Sequence, residues 1–216
     1  MATSFKQGSQ MKAVIYHADG PIAENFPPDT YRKLFEGFRE NAAQYGIQTV
    51  HLTLEGHPGW GDENYYYPGL EPADIVYNRE ICFIEFLKSA ENDVYWFSEP
   101  DSRIAEMWPP LTGDIALLRR NDAVAINPAW RLCRPSALPI FEMALERFDT
   151  NQKSWHGDSI AFRQLWLDFG EPNIGHFEHR GIKIELRDYN DYCKIGAKYT
   201  RQWKAKKKLR LIDSGQ

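Results

Sequence analysis

The chain has 216 residues, a formal net charge of −4 and an aromatic fraction of 14%. That size fits one domain with a real core, and the composition excludes a low-complexity chain and a general polycation. The three cysteines, Cys82, Cys133 and Cys193, form no CxxC pair, which speaks against a cysteine zinc site and a disulfide scaffold and for a reducing, cytoplasmic setting.

Residues 1–10 are polar and lack the apolar stretch of a signal peptide, so they read as a flexible leader or tag remnant ahead of a single domain over 11–216. No apolar run approaches 18 residues, and no membrane span is expected. Lys12–Tyr16 reads as a buried first strand and His17-Ala18-Asp19-Gly20 as a turn. Asp29 is placed to cap a helix over 30–45, with Tyr31, Leu34, Phe35, Phe38, Ala42 and Tyr45 at helical spacing and Gly46 as its stop. Ile47–Leu54 alternates like a strand. This β-α-β opening favours a parallel sheet with a right-handed crossover. Residues 55–72, rich in Gly, Pro and aromatics, read as a functional loop.

Ile75–Tyr77 reads as a short strand and 79–90 as a helix with Phe83, Ile84 and Leu87 inward. Val94–Phe97 is a buried strand that runs into Ser98-Glu99-Pro100-Asp101. Asp114–Arg119, Ala123–Ile126 and Trp130–Cys133 read as further strands. A helix follows from about Ser136 with Leu138, Phe141, Leu145 and Phe148 on one face. Another starts near Asp158, and Ile182–Leu186 is a late strand. The segment 198–210 carries seven basic residues and no acid.

Glu99 and Asp101 are the first candidate site. Ligands of open α/β sheets sit beyond the carboxyl ends of strands. Two carboxylates one residue apart there repel unless a cation lies between them, and Mg²⁺ or Mn²⁺ with oxygen ligands suits the place. The other reading is an ordinary acidic turn capping a helix that begins near Ser102. Asp158, after Gly157, is either a helix cap or an acid placed for proton transfer, with neighbouring His156 as a substitute base. The basic segment is a solvated terminus, a clamp for phosphates through Lys198, Arg201 or Lys204, or a nucleic-acid surface on which Trp203 stacks.

In order and spacing, these features resemble the GT-A nucleotide-sugar glycosyltransferases. "VYWFSEPDSRI" resembles the strand and D-x-D-type motif of that family, with Glu99 at the first acidic position. "AVAINPAWRLCRPSALPIFEMALERF" is similar to the segment that follows it, "WHGDSIAFRQLW" to the later Gly-Asp-Gln stretch, and "AKYTRQWKAKKK" to the C-terminal segment. Together they span roughly residues 12–208. Ser159 stands where Gln often follows the acid, and the C-terminal segment lacks the family's histidine, with Lys198 and Tyr199 nearest to its place.

The resemblance implies a single GT-A-like, Rossmann-like α/β domain with a mixed, mainly parallel central sheet flanked by helices. It implies a sugar donor, expected to be a UDP-sugar, contacted by Tyr16, His17, Asp19, Arg79, Glu99, Lys198, Arg201 and Lys204. Glu99 and Asp101 would hold Mn²⁺ or Mg²⁺ on its diphosphate. Asp158 or His156 would serve the acceptor hydroxyl, with Trp60, Tyr66 and Trp203 as acceptor contacts. The chain looks similar to small bacteriophage enzymes that glycosylate hydroxymethylated pyrimidines. That makes double-stranded DNA the expected acceptor, the host cytoplasm the location, and base flipping a requirement. A surface or capsule glycan acceptor, or a non-catalytic binding domain, are the alternatives. Nothing in the sequence points to an obligate protein partner.

Overall fold

The computed structural model describes residues 11–16, 29–52, 72–148, 157–193 and 197–202. In chain order the elements are β1 (Met11–Tyr16), α1 (Thr30–Gln44), β2 (Gln48–Leu52), α2 (Pro72–Ser89), β3 (Val94–Ser98), β4 (Ser102–Ile104), β5 (Ile115–Arg119) and β6 (Ile126–Cys133). A 3₁₀ turn (Pro135–Ala137) leads into α3 (Leu138–Glu146), followed by α4 (Gly157–Asp168), β7 (Gly175–His179), β8 (Ile182–Asp188), α5 (Tyr189–Tyr192) and β9 (Thr200–Gln202).

Seven strands form one sheet in the order β2-β1-β3-β6-β5-β8-β7, and β4 and β9 form a separate two-stranded ribbon. β1 is parallel to both β2 and β3, β5 is parallel to β8, and β6 and β7 run against their neighbours. This is the single α/β domain with a mixed, mainly parallel sheet that the sequence predicts. Strands β1 and β3 are buried on both faces, which explains their unbroken apolar runs. One face packs α2, α3 and α4 through residues such as Phe83, Phe97, Phe141 and Phe162. The other packs α1, α5 and the segment before β5 through Phe38, Trp96, Trp108 and Trp130. Among the described residues no helix is long and apolar enough to cross a membrane.

Several expectations are corrected. Ile75–Tyr77 is no strand; it lies inside α2, which starts at Pro72. Val76, Glu80, Phe83 and Leu87 recur at helical spacing and are all buried, and three apolar residues alone cannot distinguish helix from strand. Asp29 makes no side-chain cap to α1; its carboxylate instead pairs with Lys33 one turn on, at 2.6 Å. Gly46 does stop the helix, at φ +70°. The two predicted pieces Ala123–Ile126 and Trp130–Cys133 are one hairpin turn and one strand. Asp122 accepts from the Val124 N–H, Ala125 takes the left-handed conformation, and β6 then runs unbroken to Cys133. Pro128 fits inside it because the β5–β6 register shifts between Leu117 and Leu118, a bulge that tolerates a residue without an N–H. No helix begins at Ser102; the residues there are β4. The leader 1–10 lies outside the described residues.

Candidate functional site

The carboxyl ends of parallel β1 and β3 lie side by side, with Ile15 level with Ser98. Beyond β3 the chain turns at once: the Ser102 N–H donates to the Glu99 carbonyl at 3.2 Å. Pro100 therefore occupies the second position of a β-turn, which suits its fixed φ. The turn sends the two predicted acids to different surroundings. The Glu99 side chain is 32% exposed and accepts from Arg79 Nη1 at 3.3 Å. Asp101 is 1% exposed, and its charge acts on buried Arg103.

Arg79, in the middle of α2, is the centre of the site. Its Nη2 donates to Asp158 Oδ2 at 2.5 Å, and its Nε and Nη2 reach Glu80 Oε1 at 3.3 and 3.2 Å. Three carboxylates thus surround one guanidinium. Burial opposes its charge, yet Asp158, Glu80 and Glu99 outweigh that cost and raise its pKa. Asp158 is 5% exposed in the first turn of α4. Its second oxygen accepts from the Ser159 N–H at 2.6 Å. Asp158 thus stands both in the first turn of α4 and in the charged cluster around Arg79.

Beneath Arg79 lies a buried ion pair. Arg131 of β6 donates from both terminal nitrogens to Glu80, Nη2 to Oε1 at 2.8 Å and Nη1 to Oε2, and both side chains are 1% exposed. The Arg131 guanidinium lies over the rings of Phe83, Phe141 and Phe162 at 4.8–5.1 Å. Burial alone would raise the pKa of Glu80, but Arg131 and then Arg79 hold it below the usual carboxylate value. Neither Glu80 nor Arg131 is among the residues singled out from sequence. The available signal is a charge on each of two core faces: Glu80 falls on the inward stripe of α2, and Arg131 shares a strand face with buried Cys133.

The C-terminal segment returns to this place. β9 pairs antiparallel with β4 in the register Ser102↔Gln202, Arg103↔Arg201, Ile104↔Thr200. The ribbon is tied down by the Trp108 indole N–H donating to Thr200 Oγ1 at 2.7 Å and by the Ala105 N–H donating to the Tyr199 carbonyl at 2.8 Å. Arg201, predicted for the donor, thus faces Arg103 directly after the acidic turn, and like charges opposite each other oppose pairing unless an anion or acid offsets them. Arg103 is buried against the helix: a Cβ on Gly37 would sit 2.4 Å from its Nη2. Its Nη1 donates to the Pro100 and Ser102 carbonyls, and burial lowers its pKa to about 10. Lys198 is exposed, with its ammonium 4.7 Å from the Tyr199 ring.

Of the predicted site residues, Arg79, Glu99 and Asp158 meet in one charged cluster. Asp101, Lys198 and Arg201 stand on the turn and ribbon beside it. Tyr16 is buried at the end of β1. His17, Asp19, Trp60, Tyr66, His156, Trp203 and Lys204 lie outside the described residues. Among the described residues no three His, Cys, Asp or Glu side chains gather into a metal-holding group.

No family model matches the chain, and no curated protein matches its sequence. Its fold is shared with a solved structure. A glycosyltransferase involved in the glycosylation of the major capsid of PBCV-1 superimposes with a TM-score of 0.57 at 12% identity, covering 95% of this chain and 98% of that one. The glycosyltransferase GlyE of Streptococcus pneumoniae TIGR4 gives 0.45 at 11% identity, covering 84% of this chain and 46% of that one. The inositol-1-phosphate CTP transferase of T. maritima gives 0.40 at 9% identity, covering 97% and 96%.

Proposed function

We propose that the chain is a nucleotide-sugar glycosyltransferase whose donor binds beyond the ends of β1 and β3. The observation that carries this reading is the meeting of Arg79, Glu99 and Asp158 at a strand end to which the C-terminal ribbon returns Arg201. Sugar transfer needs cationic groups where the diphosphate leaves and an acid–base group where the acceptor hydroxyl attacks. Arg79, with the basic segment that includes Lys198 and Arg201, supplies the first. Asp158 supplies the second, by positioning or deprotonating the hydroxyl.

Both Asp158 oxygens are engaged, Oδ2 by Arg79 Nη2 at 2.5 Å and Oδ1 by the Ser159 N–H at 2.6 Å, so an acceptor hydroxyl must compete for the carboxylate. In this reading the donor diphosphate competes for Arg79 and loosens it from Asp158, which frees the Oδ2 oxygen to meet the acceptor hydroxyl. Of the two carboxylates expected to hold Mn²⁺ or Mg²⁺, buried Asp101 is not accessible, so the ion would be held by Glu99, with donor phosphates and water completing an oxygen shell. Such ions commonly take only one or two carboxylates, and the metal supplies charge opposite the leaving group. Glu99, with its partner Arg79 at 3.3 Å and its side chain 32% exposed, is the accessible one of the two. UDP is the nucleotide we assign to the donor.

The acceptor we assign is a hydroxymethylated pyrimidine of DNA, supported by the basic, tryptophan-containing segment 198–210 and the aromatic stretch with Trp60 and Tyr66. A glycan acceptor is the second reading, favoured by the structural neighbour that takes part in capsid glycosylation. Transfer of labelled sugar to hydroxymethylated DNA and to saccharides, at rising salt, separates them. The DNA reading requires transfer that weakens steeply with salt. Salt-insensitive transfer to a saccharide would overturn it in favour of the glycan.

A further inference from the structure

We propose that β7 is a self-association edge, through which two copies of the chain join their sheets about a two-fold axis at Phe177. β7 is the last strand of the sheet, and among the described residues its one strand partner is β8. The two strands are joined by the two-residue turn Arg180-Gly181, both at positive φ, with His179 opposite Ile182 as the closing pair. In such a hairpin the closing pair and every second pair above it exchange hydrogen bonds. Phe177 therefore turns its N–H and C=O toward β8, while His176 and Glu178 turn theirs outward. The edge offers two sets of backbone groups two residues apart.

An antiparallel copy can use those groups in a register centred on Phe177. His176 of each copy then lies opposite Glu178 of the other as a hydrogen-bonded pair, and Phe177 meets its own copy as a non-hydrogen-bonded pair. The side chains agree with that register. Across β7–β8, Glu185 stands opposite His176 and Lys183 opposite Glu178. The joined sheets would carry the ladder Glu185, His176, Glu178, Lys183 across the axis and the same ladder reversed beside it. Acid alternates with base or imidazole at every step, and opposite pairs of this kind stabilise strand pairing. His176 is already held in place, its Nε2 2.9 Å from Thr112 Oγ1, with a side chain 65% exposed. Ile174, just before the strand and 51% exposed, is the most exposed of the large hydrophobic residues described. In the same register it faces Arg180 of the second copy, whose aliphatic stem can cover it.

Two five-residue strands bury little area, so the dimer belongs to the weak, concentration-dependent class. Sedimentation of the full chain over a range of micromolar concentrations should show a monomer–dimer equilibrium. His176→Lys should tighten it and His176→Glu weaken it, each by about three- to tenfold, because the change is made twice by symmetry. Oxidative cross-linking tests the register. Phe177→Cys should form a symmetric disulfide. If that variant fails to fold, an equal mixture of His176→Cys and Glu178→Cys chains, both changed at exposed positions, should cross-link when neither alone does. A monomer at every concentration would overturn the proposal. So would a dimer indifferent to both His176 changes, or one that the mixed cysteine chains do not trap.

Discussion

Replacing Arg131 by Met strips Glu80 of its main partner inside the core. Both side chains are 1% exposed, and removing one member of a buried ion pair typically costs about 3–5 kcal/mol because the other is left charged and desolvated. Arg79 still reaches Glu80 Oε1 at 3.2 and 3.3 Å, which places the expected cost near the lower bound, about 3 kcal/mol. For a chain of this size that corresponds to a melting temperature lower by about 6–12 °C. Urea unfolding followed by circular dichroism measures the loss. The double variant Glu80→Leu/Arg131→Met removes both charges from a cage of three phenylalanine rings and should recover most of it. The pH dependence follows with its sign. The Glu80 carboxyl sits below its ordinary value of 4.5 in the folded chain, so its pair contributes fully above that value and is lost as pH falls through the lower folded one. Arg131→Met should shrink the difference in stability between neutral and acid pH. A loss below about 1 kcal/mol, or an unchanged acid limb, would refute the reasoning.

Three further outcomes are expected. Cys82 is pushed up to about 11 by burial, and burial raises fully enclosed Cys133 further, so at pH 8 both thiols should resist iodoacetamide until denaturant is added; rapid alkylation of the folded chain would contradict this. Gly37→Ala puts a methyl 2.4 Å from Arg103 Nη2, and should lower the melting temperature while Gly46→Ala, which meets only backbone strain, leaves the β4–β9 ribbon in place by hydrogen exchange. Thr200→Val removes the acceptor of the Trp108 indole and should cost about 1–3 kcal/mol, most of it from the stranded donor; a neutral change by denaturant melt would show that the ribbon is not held there.

The parts of this fold that announce themselves in sequence are those with a period. The stripe Leu34, Phe38, Ala42 of α1 is long enough to show its own, while β1 and β3 are legible because their apolar runs stop at turn residues, β3 at Glu99-Pro100. The β4–β9 ribbon is not, because three-residue strands have no period to read. Their pairing joins Ser102 to Gln202 across nearly half of the chain. Ile75–Tyr77 was ambiguous for the same reason, and only the continuation to Phe83 and Leu87 makes it helix. At the site, Arg79, Glu99 and Asp158 could each be named from position along the chain, but their mutual pairing could not. Glu80 and Arg131 were hidden because a charge in an apolar stripe reads as an interruption until its partner is known. The acidic turn also shows where spacing misleads: two carboxylates one residue apart need not share a cleft, since the β-turn at Pro100 leaves Glu99 part-exposed and buries Asp101.

The central claim is that the Arg79–Glu99–Asp158 cluster binds a nucleotide sugar and moves its sugar. A panel of nucleotide sugars titrated calorimetrically into the wild type, Arg79→Ala and Asp158→Asn, with labelled-sugar transfer followed in parallel, tests it most directly. The account requires the wild type to bind a UDP-sugar, Arg79→Ala to lose most of that affinity, and Asp158→Asn to keep the donor while transfer falls by about 10²-fold or more. Silence of the wild type across the panel, or an Asp158→Asn variant that transfers at the wild-type rate, would contradict it.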